Sequence, residues 1–385
     1  MSIQQICPVS GECVLFGRGE EVFQSWFQDI RKAGITSIRP IGGVSKNGFV
    51  RELKRSVGGY DSYVVLKSNL DRTSDNLYYE WLVGQYLNTF MYRFPLFVKT
   101  YGVYEYAPGD KKLMQYHPAD ALPVIARLRN TSVERSISVP ENICIVVQQV
   151  HKAIPFQQLI NLHKREPSEE LKHEILCVLY QVYFVLPLIP GFSHNDLHDT
   201  NLILTFAENK YYEYKYTREH TFSFHNRYAA KAIDYGRCIY PTDQLPETKK
   251  EQQNAGYPWE YVDTPCKESD MKLIKYCIDC GALPINFFDT LQQSPASWVE
   301  DSLCEDSIID MNRGLYAKYL STVGKSKGTY PDIRDIINKL EKLIQPRTYA
   351  FPRACTIHVD AEAPMRVDWP KAAGTRRRRK RKTRR

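Results

Sequence analysis

The run GFSHNDLHDTNLIL at residues 191–204 constrains this chain more than any other stretch. Eight consecutive positions, 194–201, hold two histidines, two aspartates and two asparagines. Gly191 before them and the apolar LIL after them describe a polar loop that empties into a strand. A fold that contains it must hold that loop rigidly beside a sheet. Three uses are open: a metal site, a phosphate-transfer site and a polar turn. Zinc would draw on His194 and His198 at i and i+4, which requires a helix, so the loop reading argues against it.

A chain of 385 residues with 43% apolar and 12% aromatic residues can bury a large core, which excludes a disordered protein and fits two lobes or domains. No apolar run approaches the ~18 residues of a membrane helix, and the N-terminus has no basic segment followed by an apolar one, so the expectation is a soluble, intracellular protein with no membrane partner. Ten cysteines spread singly read as reduced core thiols. Cys277 and Cys280 form the one C-x-x-C pair, and with no second pair at zinc-like spacing they too read as buried. The formal charge of +8 comes from the end of the chain. The last ten residues, RRRRKRKTRR, carry nine cations, and removing those nine leaves −1 for residues 1–375.

Apolar spacing predicts a docking helix over 20–34 and short strands from 38 to 67 (IRPIGG, GFVREL, YVVLK). It also predicts a helix over 76–92, a buried strand over 143–150, and helices over 153–164 and 168–187. KYYEYKY at 210–216 and KAIDYG at 231–236 read as strands, the first as a hairpin insertion after the polar loop. Residues 270–345 look largely helical, and 346–373, with scattered prolines, looks like an extended strap. Strands are expected first and helices later.

Phosphoryl transfer from ATP needs a Gly-rich cover for the phosphates, a lysine, oxygen ligands for magnesium and a carboxylate to orient the acceptor hydroxyl. These occur in order. His194-Asn195-Asp196 with Asn201 resembles the catalytic loop H-x-D-x-x-x-x-N of the protein-kinase-like fold. Asp234-Tyr235-Gly236 resembles D-F-G, and GGVSKNGFV resembles G-x-G-x-x-G-x-V with Ser45 at the middle glycine. Lys67 in YVVLK resembles the lysine of V-A-I-K, and Glu80 on the next helix is its partner. Each match alone has a bland reading as a turn or a surface charge. Five in the required order point to an α+β, bilobal protein-kinase-like fold with a small β-rich N-lobe and a mainly helical C-lobe.

The resemblance implies roles. Asp196 orients or deprotonates the acceptor hydroxyl; Asn201 and Asp234 hold Mg2+; Lys67, fixed by Glu80, contacts the α and β phosphates. Gly43, Ser45, Gly48 and Val50 cover the nucleotide, and Gln149 and Val150 in the connection between lobes meet adenine. His198 stands where protein kinases usually have lysine and would meet the γ-phosphate. His194 is expected to support the loop, and Asp270 in SDMKLI to pin it, with a helix N-cap as the plainer role. The implied divisions are 1–37 as a docking region, 38–150 as N-lobe, 151–345 as C-lobe, 346–373 as strap and 374–385 as a disordered basic tail.

The H-x-D-L-H-x-x-N form is similar to that of aminoglycoside and choline kinase-like enzymes, and no A-P-E follows D-Y-G. Together, SHNDLH-x-x-NLIL, IDYGR, the missing A-P-E and the basic tail resemble the divergent serine/threonine kinase homologues of nucleocytoplasmic large DNA viruses. That resemblance spans roughly residues 38–345. It implies a serine/threonine protein kinase using ATP and Mg2+ on protein substrates in an infected host cell, in cytoplasm or nucleus, with packaging in the virion a further expectation. The alternatives are a small-molecule kinase and a pseudokinase scaffold. Residues 376–385 read as a nonspecific nucleic-acid contact or a nuclear import signal, against a plain solubilising end.

Overall fold

The computed structural model describes residues 35–41, 48–57, 60–69, 77–106, 125–127, 142–150, 153–161, 167–194, 196–238, 240, 270–287, 293–295, 329–331, 333–345 and 355–368. The docking helix at 20–34, Gly43, Ser45, Asn195, the segment after Cys238 apart from Tyr240, and the basic tail lie outside the described residues.

Two sheets organise what is described. The first is six-stranded and antiparallel, built from β1 (Ile35–Pro40), β2 (Gly48–Val57), β3 (Tyr60–Asn69), β4 (Thr100–Tyr106), β5 (Ile125–Arg127) and β6 (Ile143–Gln148), in the order β1-β2-β3-β6-β4-β5. Alternation in β3 buries Val64, Leu66 and Ser68. It leaves Lys67 on the opposite face, in register with Val50 of β2 and Ile145 of β6. Gly48 opens β2 because the strand runs hard against its neighbour: a Cβ there would stand 2.4 Å from the Ser68 carbonyl oxygen.

Helix α1 (Leu77–Asn88) lies on this sheet, burying Leu77, Val83 and Leu87. Its end is locked to β4 by one side chain used twice. Asn88 Nδ2 donates to Thr100 O at 2.7 Å, and Thr100 N donates back to Asn88 Oδ1 at 3.1 Å. Gly84 permits the approach, since a Cβ there would meet Thr100 Oγ1 at 2.1 Å.

The second sheet is centred on a long hairpin, β8 (Leu202–Lys215) and β9 (Thr221–Ala232). β7 (Ala153–Pro155) pairs antiparallel with the start of β8, and β12 (Thr356–Asp360) pairs parallel with its end, carrying β13 (Arg366–Asp368) outside it. Tyr212, Tyr214 and Phe224 stack across the hairpin at centroid distances of 5.6–6.3 Å. Tyr180 of α3 (Glu169–Val185) meets Phe224 edge-on, and Phe184 meets Tyr214 in the same way. That aromatic wall explains the alternation in KYYEYKY, whose in-facing rings need an apolar partner.

Ser168 caps α3 by accepting from Leu171 N at 3.3 Å, with Glu169 and Glu170 favourably placed in its first turn. The helix is apolar nearly all round because the hairpin covers one side while α4 (Lys272–Asp279) and α5 (Ile333–Leu343) cover others. Residues Glu169–Leu188 are therefore long and apolar enough to cross a membrane, contrary to the expectation from sequence, yet 83% of that window is buried within the protein. It is a core helix.

Other expectations need correction. Residues 153–155 are strand, and only Phe156–Asn161 (α2) is helical within the 153–164 window. KYYEYKY does lie in a hairpin strand, as read from sequence, and that strand is continuous with the one that leaves the polar loop. The region 346–373, read as a strap, supplies β12 and β13 to a sheet. Strands do not precede helices: the later half holds the five-stranded sheet besides its helices, because aromatic alternation persists far beyond the polar loop. A short pair, β10 (Gln293–Pro295) with β11 (Thr329–Pro331), adds further strand there. Of the six described cysteines five are buried and Cys280 is half-buried, and burial raises the thiol pKa of both Cys277 and Cys280.

Candidate active site

The polar loop, the turn after β9 and the face of β3 that carries Lys67 converge where the two sheets meet. Backbone bonds set the frame. Ile233 N donates to Asn201 O at 3.0 Å and Ala232 N to Leu96 O at 2.8 Å, so the residues before Asp234 lie alongside the end of the loop. His194 adds a side-chain link, its Nε2 donating to Ile233 O at 3.0 Å. That bond fixes the proton on Nε2 and gives His194 a positioning role.

Asp234 has φ 66° and ψ 68°, the left-handed region, and is the only non-glycine with positive φ among the described residues. Such a conformation costs about 1–3 kcal/mol and persists only where its surroundings impose it. Here they are visible. Tyr235 is buried next in sequence; its hydroxyl donates to Ala232 O at 2.8 Å and accepts from Val98 N at 2.8 Å, while its ring packs edge-on against Phe97. The tyrosine that departs from D-F-G therefore uses its extra oxygen to satisfy backbone groups.

The held turn presents its carboxylate to Lys67. Lys67 Nζ lies 2.6 Å from Asp234 Oδ1 and 2.8 Å from Glu80 Oε2, so one ammonium is shared by α1 and the turn. Short charge-assisted bonds of this kind are the strong ones. Three of the residues read from sequence are thus brought into direct contact from three separate elements.

Asp196 and Asn201 sit together inside the loop. Asn201 Nδ2 donates to Asp196 O at 3.0 Å and approaches Asp196 Oδ2 at 3.4 Å. The base of the loop is pinned from α4's approach: Asp270 Oδ2 accepts from Ser193 Oγ at 2.9 Å and from His194 N at 3.3 Å. Asp270 is 1% exposed, so its carboxylate serves the loop rather than solvent. His198 is within 3.8 Å of Asp196 and 3.9 Å of Asp199, and its Nδ1 shares a 2.9 Å hydrogen bond with Thr200 Oγ1. Burial lowers the His198 pKa, against an opposing pull from Asp196, and burial raises that of Asp199.

The remaining candidates divide. Val50 and Gly48 lie on β2 beside Lys67, but Gly48 is explained by the contact with Ser68 already described. Val150 is buried, and Gln149 extends its amide to Glu52, which also binds Arg39. Gln149 is thus tied to β2 through its side chain. Gly43 and Ser45 are outside the described residues.

Two groups were missed from sequence. Glu52, a buried carboxylate on β2, gave no signal beyond its place in a strand. Lys272 of α4 approaches Asp196 Oδ1 at 3.8 Å. Its one sequence clue is a basic residue opening an apolar helical run, two positions after Asp270.

The oxygen donors of Asn201 and Asp234 suit a hard divalent cation, which takes few protein carboxylates when phosphates supply the other ligands. Among the described residues no three His, Cys, Asp or Glu side chains gather into a metal cluster.

No family model matches this chain, and no curated protein sequence is similar to it. Solved structures are. WaaP in complex with acyl carrier protein aligns at 12% identity and a TM-score of 0.33, covering 86% of this chain and 99% of that chain. A Plasmodium kinase domain aligns at 12% identity and a TM-score of 0.33, covering 81% and 90%. At that TM-score the likeness adds no weight to the geometry.

Proposed function

We propose that this protein is an ATP-dependent phosphotransferase of kinase-like, bilobal architecture, the six-stranded sheet with α1 forming the smaller lobe. The observation that carries the reading is Lys67 held at once by Glu80 and Asp234, beside a loop that presents Asp196 and Asn201. A lysine fixed between two carboxylates is positioned to receive phosphate oxygens, and the strained Asp234 turn keeps a second charged group at the same point.

In this mechanism the acceptor hydroxyl lies against Asp196, which takes its proton as the oxygen attacks the γ-phosphorus. The bond to the bridging oxygen breaks and ADP leaves. Lys67 holds the α and β phosphates. Asn201 and Asp234 would hold magnesium, which would supply charge neutralisation to the phosphates. Asp270 and His194 keep the loop and the Asp234 turn in mutual register.

The acceptors are protein serine and threonine hydroxyls, in keeping with the large-DNA-virus resemblance of the motifs, and the setting is an infected host cell. The tail at 376–385 supplies nonspecific nucleic-acid contact or import. The second reading, a small-molecule acceptor, draws on His198 in place of lysine and on the buried Asp199 beside it. The test is transfer from ATP labelled on the γ-phosphate, with magnesium, to casein, histone, choline or an aminoglycoside. Label in protein that disappears with Asp196→Ala supports the protein-kinase reading. Label confined to choline or the aminoglycoside replaces it with the second, and absence of Asp196-dependent transfer to any acceptor overturns the enzyme.

A further inference from the structure

The transferred phosphoryl group carries negative charge on three equatorial oxygens, and a site that moves it keeps a fixed cation near the attacking side as well as one on the leaving side. Lys67 serves the leaving side, bound to Glu80 and Asp234. On the attacking side the catalytic loop has His198 at the position where a lysine is usual. His198 Nδ1 is engaged with Thr200 Oγ1 at 2.9 Å, and its Nε2 stands 3.8 Å from Asp196 Oδ2.

The two oxygens of Asp196 face different neighbours. Oδ2 belongs to the loop, with Asn201 Nδ2 at 3.4 Å and His198 Nε2 at 3.8 Å. Oδ1 faces Lys272 Nζ at 3.8 Å. That distance is longer than a charge-assisted hydrogen bond of about 2.8 Å. Lys272 is 22% exposed at its side chain, and Asp196 is 11% exposed. The backbone that places Lys272 is rigid: Asp270, two residues earlier, is bound to Ser193 and His194, Met271 is 1% exposed, and Leu273 and Ile274 are buried. The same anchor therefore fixes the loop and the lysine.

Resting on the phosphotransferase reading, we propose that Lys272 is a catalytic residue that binds the γ-phosphoryl oxygens during transfer, supplying from α4 the cation that the loop itself lacks. As the acceptor oxygen bonds to phosphorus, its proton passes to Asp196. The electron pair of the breaking bond leaves with ADP, and the charge on the equatorial oxygens is met by Lys272 on one side and Lys67 on the other. No further reactant is needed.

The test uses the full chain, ADP with magnesium, and aluminium fluoride as a mimic of the phosphoryl in flight, alongside transfer from labelled ATP. Lys272→Met is expected to lower kcat by roughly 10²–10³ while changing the KM for ATP less than threefold, with Lys272→Arg recovering to within about tenfold of the parent. In the parent, fluoride should tighten ADP binding. Lys272→Met should keep the parent's affinity for ADP alone, which also reports a folded site, and lose that tightening, whereas a lysine that merely braced Asp196 would leave it in place. Full fluoride tightening or parent-like kcat in Lys272→Met overturns the proposal and leaves the phosphotransferase standing. A parent protein that neither transfers nor tightens removes both.

Discussion

The aromatic hairpin packed on α3 and the loop that carries Asp196 are joined by a single strand, β8, yet they are built on opposite physical terms. Tyr212, Tyr214 and Phe224 of the hairpin and Tyr180 and Phe184 of α3 are nearly or fully buried and contact one another ring to ring. In the loop, Asp196, Asp199, Asn201 and Asp270 are buried as well, but they are polar and held by directed bonds. Burial of rings stabilises the fold wherever shape permits, whereas burial of carboxylates opposes it unless each is met by a donor. One region is bought with area and the other with geometry, so substitution should separate activity from stability.

The largest expected effect is on activity alone. Asp196→Ala should reduce phosphoryl transfer by about 10³-fold or more, in the range of a lost general base, while the thermal midpoint stays level or rises as a buried charge is removed. Transfer assays on the variant beside a thermal melt decide it; parallel collapse of both would dissolve the distinction between the two regions.

Phe184→Ala should do the reverse. Emptying that site between Tyr180, Tyr214 and Tyr216 is expected to cost about 3–5 kcal/mol, read by denaturant unfolding, with activity per folded molecule preserved.

Tyr235→Phe probes the place where the two modes meet, since its ring is core and its hydroxyl serves the backbone. Leaving Val98 N without its acceptor should cost about 1–3 kcal/mol by the same denaturant titration. If the hydroxyl also holds the Asp234 turn, kcat should fall severalfold with it; unchanged kcat would confine this tyrosine to the core.

The smallest effect concerns Lys231, buried on β9 with its ammonium donating to Pro95 O. Burial lowers its pKa to about 8 from 10.5. Between those values the unfolded chain binds a proton that the folded one does not, so this lysine makes stability rise as pH increases from about 8 towards 10.5. Replacing it in Lys231→Met should flatten that rise in urea midpoints measured across the interval.

How much of this was legible in the sequence follows from the same division. The grouping of residues in short motifs was readable: Lys67, Glu80, Asp234, Asp196 and Asn201 were picked by resemblance to the motifs of the kinase-like fold, and the structure puts Lys67 against Glu80 and Asp234 and Asn201 against Asp196. Strands β2, β3 and β6 and helix α1 were readable from periodicity. Lys272 was not, because its proximity to Asp196 depends on how α4 docks, and no local pattern encodes that docking. Nor was the joining of β12 to β8, since that parallel partner lies far along the chain; a short alternating run such as TIHVD does not say which strand it will join. The long apolar window at 169–188 was missed for a different reason: polar residues interrupt it at intervals that a strict run count treats as breaks.

The pairing of β12 with β8 has a consequence for how the molecule is made. Asp360 meets Lys215, 145 positions earlier, in a 3.1 Å ion pair, and His358 meets Glu213 at 2.8 Å in the same register. At about 5–20 residues per second, a ribosome needs roughly 7–30 s to deliver the second partner after the first. Through that interval the outer edge of β8 at residues 211–215 waits with its backbone groups unpaired, an open template for any extended segment nearby. The nascent chain thus carries an adhesive edge before it carries the strand that seals it.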